Sequence, residues 1–161
     1  MFFEGSCFMK IRGNHGIGNY LKIFLQICKI FGILLLIFLI PILFLLKLPF
    51  DMFLFMIYPC GICFLMLMEQ FIGLFNSLKE NNPFNYHNLD RILKAMHMSF
   101  MISVFVLISF FLTFFYDYSL AFVVSILFIS ILFFGVGIAL YILSDLFRSS
   151  LEYKEENELT I

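Results

Sequence analysis

"SLAFVVSILFISILFFGVGIALYILS" spans Ser119–Ser144, and no charged side chain falls between Tyr118 and Asp145. A helix rises about 1.5 Å per residue, so crossing a hydrocarbon core about 30 Å thick takes roughly 20 apolar residues. This run is long enough to cross once. It lacks period-two alternation, so the pattern predicts a helix and not a barrel strand.

Working outward, three more runs qualify. Ala95–Tyr116 is uncharged throughout, Phe50–Phe71 is uncharged from Met52 to Met68, and Ile23–Leu46 is uncharged from Ile30 onward, with Lys29 near its start. The expected fold is therefore all-α: an integral membrane four-helix bundle with spans at 23–46, 50–71, 95–116 and 119–144. A segment 1–22 precedes the spans, a connection 72–94 divides them, and a tail 145–161 follows. The first run exceeds the apolar core of a signal peptide, about 7–15 residues, and no A-x-A-like exit follows it. It is read as a helix that stays.

Composition agrees. The 161 residues are 63% hydrophobic and 13% charged, with mean hydropathy +1.04, against about 25% charged in a soluble domain. So apolar a chain needs no disulfide scaffold from its four Cys. The net charge of −1 says little, because the charges are segregated along the chain.

That segregation sets the expected orientation. Lys10, Arg12, Lys22, Lys29, Lys79, Arg91, Lys94, Arg148 and Lys154 fall on one side of the spans, and Lys47 alone on the other. Cytoplasmic flanks collect Lys and Arg, so both termini and the middle connection are expected inside a cell. Lys47–Asp51 and Tyr116–Ser119 are short enough to force antiparallel hairpins. In the middle connection, Phe71, Leu74, Phe75 and Leu78 recur at helical spacing, Asn82-Pro83 stops that helix, and Asn85 is placed to cap the next.

Candidate chemistry is sparse. Cys60 and Cys63 form C-x-x-C inside an apolar span, where Cys serves as a small packing residue; Gly13–Asn19 is glycine-rich without the strand or the G-K-[ST] of a phosphate loop. His15, His87 and His97 are scattered. Glu69 and Gln70 interrupt an apolar helix near its inner end, which suits either an interfacial position near Lys22 or Lys79 or a transport path. No nucleophile–base pair appears, so no enzyme, catalytic residue, cofactor or metal is expected. Small residues supply the packing signals. Ser99 and Ser103 share a helix face, as do Ala121 and Ser125, and Gly135 and Ala139 make a small-xxx-small pair with Gly137 between them. Pro41 is expected to kink the first helix.

The tail, "RSSLEYKEENELTI" (Arg148–Ile161), turns acidic beyond Leu151. Carboxylates are unfavourable at a helix C-terminus and Glu152/Glu156 repel at i,i+4, with Arg148–Glu152 and Lys154–Glu158 offsetting part of this; a frayed end is expected. Two roles fit: a solubilising tail, or a docking segment for a basic, partly apolar partner.

"NPF" (Asn82–Phe84) followed by Asn88 and an amphipathic helix, together with the terminal "KEENELTI" (Lys154–Ile161), resembles the bacterial family known as domain of unknown function 2975. The similarity runs from about Met9 onward. Glu158 stands where Asp is expected in many relatives, and "MFFEGSCF" precedes Met9, which suggests Met9-Lys10 as the natural start. The resemblance implies a small four-span protein of the bacterial cytoplasmic membrane. It also implies a gene neighbourhood that often holds a small helix-turn-helix DNA-binding regulator. On that footing the expected function is a membrane anchor or anti-regulator for such a protein. The partner-facing candidates are Asn82, Pro83, Phe84, Asn88, Arg91, Glu155, Glu156, Asn157, Glu158, Leu159 and Ile161. Its expected partners are the lipid bilayer and that regulator, with no direct nucleic-acid contact. The alternatives are an immunity or stress-resistance protein acting within the bilayer, and a small transporter centred on Glu69.

Overall fold

The computed structural model describes residues 17–46, 50–79, 85–113 and 120–159. They form four helices: α1 (Ile17–Leu46), α2 (Phe50–Lys79), α3 (Tyr86–Thr113) and α4 (Leu120–Leu159). Each is long and apolar enough to cross a membrane, so the chain is a multi-pass membrane protein. α2 runs on past Gln70 to Lys79, as the recurrence of Phe71, Leu74 and Phe75 requires.

α3 is the centre of the bundle. Its inward residues Asn88, Ile92, Ala95, Ser99 and Ile102 lie alternately four and three apart, the 3.5-residue period of helices that pack along one seam. α4 answers with Ser130, Gly137, Leu140, Ser144 and Leu151. The polar members of the two seams bond across them. Ser99 Oγ donates to the Phe133 carbonyl at 2.9 Å, Ser103 Oγ to the Ser130 carbonyl at 3.0 Å, and Ser130 Oγ back to the Ser103 carbonyl at 3.1 Å. Small hydroxyl residues thus bring the backbones together and supply interhelical bonds where no water competes.

Sequence reasoning placed the close approach of α4 at Gly135 and Ala139, and the structure places it elsewhere. Both face outward, and a Cβ built on Gly135 meets nothing within 4 Å. The close approach falls at Gly137, where a Cβ would lie 2.7 Å from the Phe100 ring. Phe100 in turn stacks edge-on against Phe134 at 5.6 Å between centroids.

The core of Leu67, Ile92, Ala95, Ile102 and Leu140, with Phe64 and Phe133 packed edge to face beside it, comes from α2, α3 and α4. Among the described residues α1 contributes nothing to it, and no residue of Asn19–Leu39 is buried. α1 is held along one side of α2. Leu36 packs where a Cβ on Gly61 would stand, and Leu65 lies close to Gly32. Tyr58 Oη donates to the Leu36 carbonyl at 2.8 Å. Pro41 stands inside α1, where its missing N–H leaves the carbonyl one turn back without a helical partner. Tyr58 serves the carbonyl next to that gap. Nearer the α2 C-terminus, Lys29 Nζ lies 3.3 Å from Glu69 Oε2. Glu69 therefore meets a cation of α1, but it is Lys29 and not the Lys22 considered from sequence; the side chain of Lys79 lies outside the description.

Candidate functional site

Three helix ends gather where α2 finishes and α3 begins; this is the polar end of the bundle. Asn85 caps α3. Its side-chain Oδ1 accepts the Asn88 N–H at 3.0 Å, which satisfies one of the donors a helix start leaves open. Asn88 then turns inward. It is 2% exposed, and its Nδ2 donates to Ser77 Oγ of α2 at 2.7 Å. One turn on, the Arg91 guanidinium lies across Gly73, so close that a Cβ there would overlap Nη1 and Cζ. Asp90 pairs with Lys94 at 2.6 Å, and the His97 ring donates to the Leu93 carbonyl at 2.7 Å.

α4 does not stop at the edge of its apolar run. It continues as one helix to Leu159, so the expected frayed tail is corrected for the described residues. The reason is burial. Leu151 is 4% exposed, and four residues beyond it Glu155 Oε1 accepts the Tyr86 hydroxyl at 2.7 Å. Arg148 pairs with Glu152 at 3.4 Å on the outer side. The hydrogen bond to Glu155 pushes the Tyr86 phenol above its ordinary value; slight desolvation and the charges of Glu155 and Glu152 act the same way, and Arg148 opposes them. Beyond Leu151, residues 152–157 are all exposed, and among them Glu152, Glu155 and Glu156 make an acidic surface.

The predicted partner-facing residues divide accordingly. Glu155, Glu156 and Asn157 are exposed on the tail helix. Asn88 is interior and belongs to the α2–α3 contact, and Arg91 is half-buried against α2. Glu158 and Leu159 lie in α4 with side chains outside the description, and Asn82, Pro83, Phe84 and Ile161 lie outside the described residues. The fold brings Tyr86 to the tail and keeps Asn88 and Arg91 with α2. Sequence reasoning did not single out Ser77, Tyr86 or Leu151. The signal for Leu151 was present: Ser130, Gly137, Ser144 and Leu151 recur every seven residues. Among the described residues no three His, Cys, Asp or Glu side chains gather as a metal site.

The sequence model of the family described as "Protein of unknown function (DUF2975)" matches residues 19–161. No curated protein and no solved structure matches the chain.

Proposed function

Because the chain belongs to the DUF2975 family, we propose that it is a membrane anchor whose acidic tail helix holds a small, basic helix-turn-helix regulator at the cytoplasmic face. Two antiparallel hairpins put both termini and the α2–α3 connection in the cytoplasm. The order of the contacts supports the hairpins: Lys29, Gly32 and Leu36 meet Glu69, Leu65 and Gly61, and Tyr86, Ser99 and Ser103 meet Glu155, Phe133 and Ser130. The excess of Lys and Arg at the polar end supports its cytoplasmic placement.

One observation carries the reading. The tail is a docked helix, and Glu152, Glu155 and Glu156 project from it at fixed positions. A partner that uses Lys and Arg to bind DNA phosphates can exchange them for this surface, and any fraction held there is withdrawn from DNA by mass action. The Lys29–Glu69 pair supports a structural role for Glu69, which weighs against transport. Membrane fractionation with the neighbouring regulator co-expressed tests the proposal. A chain ending at Ser150, or one carrying Glu152→Lys and Glu156→Lys, should release the regulator to the soluble fraction. Unchanged recruitment by both would overturn it.

A further inference from the structure

The cations at the polar end are not all in the same state. Lys29, Lys94 and Arg148 each lie within 4 Å of a carboxylate, those of Glu69, Asp90 and Glu152. Arg91 does not: among the described residues its guanidinium has neither ion pair nor hydrogen bond. It lies instead against the backbone of α2. The group lies against Gly73, which offers bare backbone where any other residue would place a Cβ into Nη1 and Cζ. A half-buried, always-charged, five-donor group thus lies against bare backbone with no carboxylate of the described residues beside it.

Its depth points to the kind of anion it would meet. Charge-free sequence runs from Ile30 to Leu46 and from Met52 to Met68, so Lys29 and Glu69 mark the edge of the hydrocarbon. Gly73 stands one helical turn beyond Glu69, roughly 6 Å further out. A bilayer's headgroup layer is about 5–8 Å thick on each side, so the seat falls at the level of the lipid phosphates. A basic partner protein would be repelled by Arg91. A phosphate presents the paired oxygens that a guanidinium fork takes two at a time.

We propose that Arg91, seated on Gly73, binds the phosphate of an anionic phospholipid in the leaflet at the polar end. The site needs neither the regulator nor a particular orientation in the cell.

Native mass spectrometry of the full-length protein, released from nanodiscs of phosphatidylglycerol and phosphatidylcholine, tests it. The wild type should retain phosphatidylglycerol preferentially. Arg91→Gln should lower that preference by about fivefold, the worth of one well-placed basic residue at an anionic surface. Gly73→Ala, which keeps the charge but displaces the guanidinium, should lower it too. Arg148→Gln removes an equal charge from a paired site and should leave it unchanged, and millimolar inorganic phosphate should not displace the lipid. Equal retention by wild type and Arg91→Gln, equal losses in Arg91→Gln and Arg148→Gln, or displacement by free phosphate would each overturn the assignment. Should Arg91→Gln fail to fold, Gly73→Ala decides alone: unchanged preference there overturns it.

Discussion

Single side chains hold this bundle through bonds that lipid leaves uncontested. Ser103 and Ser130 each donate to the other's carbonyl, and such interhelical bonds contribute about 0.6 kcal/mol on average. Ser103→Ala is therefore expected to cost about that much in a reversible unfolding measurement in bicelles. Ser103→Leu, which forces α3 away from α4, should cost several times more. Lys29 and Glu69 make a different case, because removing one partner strands the other's charge beside apolar surface. Glu69→Gln should lower the thermal midpoint, and Lys29→Met with Glu69→Met should recover most of the loss. If the double variant is less stable than Glu69→Gln, the pair is not what holds these residues. Tyr86 carries a pH dependence. Its folded value lies above the unfolded one, so its contribution is complete below the ordinary phenol value of about 10 and is lost as pH rises through the folded value. The difference between the phenolate titrations of wild type and Tyr86→Phe should show one group ionising later than free tyrosine.

At the scale of the helix, the tail shows which local rule wins. The Glu152/Glu156 repulsion costs a few tenths of a kcal/mol, whereas burying a leucine contributes about 1.5–3 kcal/mol. Leu151 is buried, so the helix persists through residues whose charges disfavour it. Leu151→Asp should unwind the segment after Ser150, which amide hydrogen exchange would report as lost protection from Glu152 to Asn157. The four spans and the Asn85 cap were legible in the sequence, because charge-free length and a capping side chain act locally. The packing faces were not. In lipid both sides of a helix are apolar, so only small residues carry the period. Gly135, Gly137 and Ala139 offer two adjacent choices. The Ser103–Ser130 register on the partner helix decides between them, and one helix read alone does not contain it. The marginal position of α1 was hidden for the same reason: its residues are as apolar as those of helices that enter the core.

For the molecule as a whole, the length of α4 matters most. Its 40 residues reach about 60 Å, twice the hydrocarbon thickness, so one rigid rod joins the far side of the membrane to the acidic surface. The orientation proposed above predicts that a reagent excluded from intact cells leaves Lys79 and Lys94 unmodified and reaches them only after lysis; labelling in intact cells would reverse it. α1 bears on how the chain is made. It precedes the other three helices in the chain and, among the described residues, packs chiefly against α2, so it can leave the translocation channel and wait among lipids. The three helices that follow can assemble without it, and α1 docks against α2 afterwards. Defects on its flank should therefore appear late in biogenesis, as chains that insert fully but keep a loosely attached leading helix.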